Sequence, residues 1–164
     1  MKLDQGTRLI IFLEFVSTLT GISQKVVGQA ESAAEYMEHF ATMANQMPTR
    51  QGSADDLLLL YAGVRSNLPP DQAVSAILSG AYDSPTKTPK DWPFSGMSRS
   101  LMNFVLLGMW FNPNDPNDEG MIMTSALYAE SLVWLIAQAH PVGASKLAYG
   151  HWAGPPPALK KLIG

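Results

Sequence analysis

Apolar residues recur at helical spacing along most of the chain. The first stripe, with side chains three or four residues apart, consists of Leu9, Phe12, Leu13, Val16 and Leu19. This spacing places them on one face of a helix, and Gly21 is typical of the residue that ends one. An Ala-rich segment with its own apolar face predicts a second, longer helix over Ser23–Gln46.

Capping residues and prolines indicate where the next two helices begin. Ser53 and Asp56 have the spacing of a capping box, with Asp in place of the preferred Glu, so a third helix is expected to start there. Pro70 suits the first turn of a fourth helix, because its missing N–H would have no intrahelical partner at that position. That helix is expected to end near Ser79.

Two further helices are predicted in the second half. Ser98 is expected to cap a fifth helix over Leu101–Phe111, and a sixth is expected over Met121–Gln138. Sustained two-residue alternation and the dipeptides typical of hairpin turns are both missing from the sequence. The sequence therefore predicts an all-α fold, with a single domain of about six helices at 1–140. An extended Pro-rich tail at 141–164 is expected to pack on the domain or on a partner.

Charge is scarce and unevenly placed. Charged residues make up 15% of the chain and the net charge is −3, so no basic surplus exists for a nucleic-acid partner. Lys and Arg are absent between Ser100 and Ser145, and the predicted fifth helix carries no charge. A helix that is apolar on all sides has to be buried, and this one is too short to cross a bilayer. We therefore expect no membrane span and a permanent protein partner.

Motifs for chemistry are missing from the sequence. The chain has no Cys, and His39, His140 and His151 do not have zinc-ligand spacing. The acidic loop at 115–120 begins like a calcium loop, but Ala126 stands where the bidentate Glu is needed. Its acids are expected to cap the sixth helix instead. We expect no catalytic, cofactor-binding or metal site in this chain, which argues against an independent enzyme.

Large aromatic side chains are the candidate interface residues. The segment around Tyr149 and Trp152 is followed by consecutive prolines, so neither a helix nor a central strand is expected there. Aromatic side chains on an extended segment are typical of interface anchors, although packing back onto the domain is the alternative. The predicted partner interface consists of Trp110, Phe111, Trp134, Tyr149, Trp152 and Pro155.

Three segments, taken in order, resemble a known family. They are Phe15–Gly21, then Leu101–Trp110, then Ala126–Tyr128 continuing through Trp134 and Pro141–Gly143 to Tyr149–Ala153 and Pro155. This ordered set resembles the small subunit of membrane-associated, FAD-dependent sugar and polyol dehydrogenases. That family includes the small subunits of the sorbitol, fructose, gluconate and glucose dehydrogenase complexes. The resemblance covers nearly the whole chain.

The resemblance implies a helical, non-catalytic subunit that wraps around a large flavoprotein of the glucose–methanol–choline oxidoreductase type. The large subunit holds FAD, and a multihaem cytochrome c subunit often carries the electrons to quinone. The small subunit assists maturation and export of the large one, which implies a periplasmic location at the inner membrane through the complex. Members usually begin with a twin-arginine signal, which this sequence lacks. A chain complete as given would be cytoplasmic.

Two other functions are compatible with the sequence. A free-standing helical small-molecule-binding protein or enzyme, with a pocket between the fifth and sixth helices, would be a monomer that ligand stabilises against heat. A self-associating scaffold would bury the same apolar surface in a homodimer.

Overall fold

Helices account for most of the residues that the computed structural model describes, which are 3–29, 33–47, 50–85, 93–112, 115 and 117–137. Within these ranges the helices are α1 (Gln5–Thr20), α2 (Gln24–Gln29), α3 (Ala33–Gln46), α4 (Ala54–Arg65), α5 (Pro70–Leu78), α6 (Phe94–Leu107), α7 (Ser125–Ala129) and α8 (Leu132–Ala137). Strands β1 (Met109–Trp110) and β2 (Met121–Ile122) pair antiparallel between α6 and α7. The predicted all-α class is confirmed.

Helix α1 lies at the centre of the fold and contacts α2, α3, α4, α5 and α6. It begins where the Asp4 carboxylate accepts a hydrogen bond from the Thr7 N–H at 3.0 Å, and it ends at Gly21, whose φ is 71°. Phe12, Phe15 and Val16 of the predicted stripe region are fully buried. The apolar face of α1 therefore provides the surface on which the other helices pack.

A chain of buried aromatic rings joins α1, α3, α6 and β1. Phe12 lies 6.4 Å from Phe40, which in turn lies 6.2 Å from Trp110, measured between ring centroids. Trp110 contacts Phe104 edge-on at 6.0 Å, and Phe104 contacts Tyr36 edge-on at 5.1 Å. Such pairs stabilise a core by about 0.5–1.5 kcal/mol each beyond the burial of their area. These five residues are called the aromatic core below.

A largely buried ion pair fastens α1 to the start of α4. The Arg8 Nε lies 2.8 Å from Asp55 Oδ1, and Arg8 Nη2 donates to Asp55 Oδ2 at 3.0 Å. Both side chains are 11% exposed. Arg8 has a second partner, Glu38 of α3, which accepts a hydrogen bond from Arg8 Nη1 at 3.4 Å and is half exposed. The hydrogen bond that Arg8 donates to Asp55, together with the negative charges of Asp55 and Glu38, raises the pKa of Arg8 despite its burial, so the guanidinium stays charged.

Helix α6 differs from the predicted fifth helix at both ends. It begins at Phe94, so Ser98 is not a cap: it lies inside the helix, fully buried, and its hydroxyl donates to the Phe94 carbonyl at 2.8 Å. Gly96 is likewise buried within α6. The helix ends at Gly108, whose φ is 68°. Phe111 consequently lies outside the helix to which the sequence assigned it.

The predicted sixth helix over 121–138 was wrong at its start and at a break in its middle. Residues 121–122 form β2, and α7 starts only after Thr124, whose side chain accepts from the Leu127 N–H at 3.0 Å. The chain leaves helical geometry at Glu130 and Ser131 before α8 begins. Strands of two residues are too short to produce an alternating pattern, which is why the sequence did not indicate them.

Two predictions concern segments that the structure describes only in part. The predicted second helix corresponds to α2 and α3, with residues 30–32 lying outside the described ranges. The predicted boundary at residue 140 and the tail at 141–164 also lie outside the described residues. No helix in the described ranges combines the length and hydropathy needed to cross a bilayer, so the chain shows no direct membrane span there.

Replacing Asp55 with Ala should lower the unfolding free energy by about 3 kcal/mol, because a buried guanidinium would lose its main partner. Glu38→Ala is the matched control: it removes a half-exposed partner of the same Arg8 and should cost less than about 1 kcal/mol. Urea unfolding of the three proteins measures both values. Equal losses in the two variants would contradict the assignment of Asp55 as the structural partner.

Candidate interaction surface

The two-stranded sheet presents apolar side chains to solvent. In β1, Trp110 faces inward and is 4% exposed, whereas in β2 both Met121 and Ile122 point out and are 51% and 50% exposed. The register pairs Met109 with Ile122 and Trp110 with Met121. Among the described residues, β2 has β1 as its single partner strand.

Two glycines hold this sheet against its neighbours. A Cβ at position 108 would lie 2.6 Å from the Tyr128 Cα, so only glycine allows α7 to approach the end of α6. A Cβ at position 120 would lie 2.5 Å from the Phe111 ring, and Gly120 also has a positive φ of 78°. Phe111 is therefore held over the backbone that enters β2. We call Phe111, Met121 and Ile122 the ribbon surface.

The Asp118 carboxylate joins the two ends of the acidic loop between the strands. Asp118 Oδ2 accepts from the Asn112 N–H, and its Oδ1 accepts from the Gly120 N–H at 3.0 Å. The predicted capping of a helix by these acids is wrong, because Thr124 caps α7. Among the described residues no group of three or more potential metal ligands comes together. Asp118 thus uses its carboxylate to close the loop and fix the start of β2.

Two side chains donate hydrogen bonds to the Tyr128 carbonyl near the end of α7. The Trp134 indole N–H donates to the Tyr128 carbonyl at 2.7 Å, and the Ser131 hydroxyl donates to the same oxygen at 2.9 Å. The Trp134 ring packs edge-on against the Tyr128 ring at 5.4 Å. These contacts stabilise the break between α7 and α8, and they leave Trp134 half-buried. Further along α8, Ile136 is 45% exposed.

A buried tyrosine attaches α7 to the rest of the domain. The Tyr36 hydroxyl of α3 donates to the Leu127 carbonyl at 2.7 Å. Burial, together with the negative charges of Glu130 and Glu35, raises the pKa of Tyr36 well above its usual range. The hydroxyl consequently stays protonated and keeps its role as donor. Glu130 itself is exposed.

The structure separates the predicted interface residues into three groups. Trp110 belongs to the aromatic core, so its buried ring has no surface to offer a partner, and the interface prediction does not extend to it. Phe111 and Trp134 are half-buried beside exposed apolar neighbours. The other predicted anchors lie outside the described residues: Tyr149, Trp152 and Pro155.

The sequence did not indicate the exposed large apolar residues among the described positions after residue 100, which are Met121, Ile122 and Ile136. They were assigned to one helix, in which apolar spacing indicates a buried face. Gly120 and the short strand that follows it place Met121 and Ile122 outside a helix. A strand of two residues has no sequence pattern of its own.

An internal cavity lies where the small-molecule alternative places a pocket. Val105 of α6 and Leu132 of α8 face it, together with Phe12 of α1 and Tyr36 of α3. Its volume is about 10 Å³, which is room for roughly one water molecule, whereas ligand pockets are usually on the order of 300–1,000 Å³. A ligand of ordinary size would need the helices to move apart.

Comparison of the chain with protein-family models, with curated proteins and with solved structures found no match.

Tyr36→Phe should lower the unfolding free energy by about 1–3 kcal/mol, because the buried Leu127 carbonyl loses its donor. The substitution should also change how the unfolding free energy depends on pH under alkaline conditions. Since the pKa of Tyr36 is raised from 10.0 in the folded protein, the unfolded chain loses this proton first. The contribution of the Tyr36 hydroxyl to the unfolding free energy is therefore complete below pH 10 and declines as the pH rises above that value.

Urea unfolding at pH 8 and at a pH above 10 tests both effects, with Tyr82→Phe as the control at an exposed tyrosine. Tyr36→Phe should show a smaller alkaline loss than the wild type. A loss identical to that of the wild type would contradict the proposed role of the hydroxyl.

Proposed function

We propose that this chain is a non-catalytic small subunit that binds and stabilises the catalytic subunit of an FAD-dependent sugar or polyol dehydrogenase. It also assists the maturation and export of that subunit. The observation that carries the proposal is the half-exposed apolar pair Met121 and Ile122 on β2. It supports a protein partner because the pair is contiguous, apolar and exposed to solvent.

The position of the pair adds to this support. Met121 and Ile122 lie in a sequence span without Lys or Arg, so their own segment brings no positive charge that a partner would have to desolvate. Fully burying a Met or Ile side chain stabilises by about 1.5–3 kcal/mol, of which roughly half is still available at half exposure. Phe111, held over Gly120, adds a rigid aromatic side chain to the same surface.

The aromatic core and the glycine contacts make the ribbon surface pre-organised. Trp110 anchors β1 in the core, and the Asp118 carboxylate fixes the turn into β2. A partner therefore binds a surface that is already ordered, which reduces the conformational entropy lost on association. In the proposed complex the FAD, the substrate and the redox chemistry belong to the large subunit. This chain contributes contact area to the complex. The complex, with its cytochrome subunit, is located in the periplasm at the inner membrane.

Met121→Ser combined with Ile122→Ser should reduce recovery of the flavoprotein roughly tenfold. This corresponds to a loss of about 1.4 kcal/mol in binding free energy. The matched control is Ile10→Ser, which changes an exposed isoleucine on α1, outside the ribbon surface. Each tagged, full-length protein is expressed in the native host and recovered by affinity. The eluate is examined for flavin absorption and for dye reduction with sugars and polyols.

The wild type and Ile10→Ser should co-elute with a large subunit that shows flavin bands, and the active substrate would identify the dehydrogenase. A lone colourless chain of monomer mass would overturn the proposal. A homodimer without flavin would favour the self-associating scaffold instead.

Replacing Tyr149 and Trp152 together with Ala should release the same partner, because the sequence predicts both as anchors. Size-exclusion chromatography of the co-expressed proteins measures the effect as loss of the complex peak. Unchanged recovery of the complex would remove these two residues from the interface and leave the ribbon surface to be judged by its own variants.

A further inference from the structure

Methionine supplies all the sulfur in this chain, which contains nine Met and no Cys. Peroxides oxidise the methionine thioether to a sulfoxide, and this chain offers them no thiolate as a competing target. The reactivity of a methionine depends on its exposure to solvent. The burial of each methionine therefore determines which one a peroxide reaches.

Met121 is the most exposed methionine among the described residues. It is 51% exposed, whereas Met37 and Met97 in the core are 1% and 0% exposed. Met109 is the closest comparison, because it lies in the partner strand β1 and is half-buried. The other described methionines are half-buried and pack against the core: Met43, Met47, Met102 and Met123.

Oxidation of Met121 would change the ribbon surface without disturbing the core. Met121 is not among the side chains that pack in the core, although its cross-strand neighbour Trp110 is. Its neighbour along β2, Ile122, is 50% exposed. A sulfoxide is polar and accepts hydrogen bonds, so oxidation would place a polar group within this apolar surface. A partner that covers the sulfoxide with apolar groups would leave the acceptor unpaired, which weakens binding.

We propose that Met121 is a reversible oxidation site that controls the ribbon surface, with a peroxide as the oxidant. The thioether sulfur attacks one peroxide oxygen and forms the S=O bond. The O–O bond breaks with the electron pair that the sulfur gives up, and the other oxygen leaves as water when the oxidant is hydrogen peroxide. Methionine sulfoxide reductases, one for each sulfoxide epimer, restore the thioether.

The effect of this oxidation on partner binding rests on the function proposed above for the ribbon surface. A partner bound there covers Met121, so the free chain is the form that reacts with peroxide. Oxidation thus acts before assembly: it withdraws free chains from partner binding and spares chains that are already bound.

The first test follows the modification in the purified full-length chain and requires no partner. The folded protein is treated with hydrogen peroxide, and peptide mass spectrometry follows the gain of one oxygen at each methionine. We expect Met121 to react at least roughly fivefold faster than Met109. In urea the rates should become similar, because every side chain is then exposed. The two reductases should remove the oxygen from Met121.

The first test can overturn the proposal in three ways. Equal rates at Met121 and Met109 in the folded protein would do so, and so would a faster reaction at another described methionine. An oxygen at Met121 that neither reductase removes would contradict reversibility. The melting temperature of the oxidised chain should change by less than about 2 °C, and a larger fall would show that oxidation damages the core.

The second test measures recovery of the flavoprotein from a native-host extract by tagged full-length chains, each compared with its own untreated sample. Peroxide treatment, followed by removal of the peroxide, should lower recovery by the wild type about threefold. Met121→Leu should lose this sensitivity, because leucine has no sulfur to oxidise. Met109→Leu is the matched control in the same sheet and should remain sensitive. An equal peroxide effect in Met121→Leu would place the sensitive group elsewhere and overturn the proposed control.

The untreated wild type separates this proposal from the proposed function. If it recovers flavoprotein and peroxide has no effect, the control by Met121 is overturned while the proposed function stands. If it recovers none, the proposed function fails, and the relative rates at Met121 and Met109 still decide whether Met121 is the oxidation site.

Discussion

Packing of Trp110 against Phe40 and Phe104 is the contact on which the arrangement of this protein depends. It draws β1 into the helical core directly after α6 ends. Because β2 is hydrogen-bonded to β1 in a fixed register, burying Trp110 places β2 at the surface of the domain. The exposure of Met121 and Ile122 is thus a consequence of how the core is filled. A core ring and a surface patch are joined by one pair of short strands.

Close backbone approach is the second constraint, and it operates at two glycines. Gly108 lets α7 lie against the end of α6, and Gly120 lets the Phe111 ring lie over the chain. Side chains then complete the assembly: Tyr36 holds the Leu127 carbonyl, and Trp134 holds that of Tyr128.

The sequence predicted the helical class and the positions of α1, α4 and α5, because each carries a local signal. The apolar stripe and Gly21 mark α1, Ser53 and Asp56 form the capping box of α4, and Pro70 opens α5. The second half gave weaker signals. A nearly uncharged run looks the same whether it forms one helix, two helices or a strand, so periodicity could not place Met121 and Ile122 outside a helix.

The candidate surface was predictable only in its general location. The scarcity of charge after residue 100 pointed to this part of the chain, and Phe111 and Trp134 do lie beside exposed apolar residues. Trp110 could not be separated from them, because an aromatic residue gives the same signal in a core as at an interface. Only the structure, in which the Trp110 side chain of β1 faces inward, distinguishes a core position from an interface position.

The hydrogen bond from Tyr36 to Leu127 has a kinetic consequence, because it joins residues 91 positions apart. Contacts of such long sequence separation require a large loop to close, and they form late unless many local contacts precede them. Packing of α1 with α3, α4, α5 and α6 therefore has to bring Tyr36 into place before α7 can dock. We therefore expect α7 and α8 to acquire their structure last during folding, after the helical core is complete.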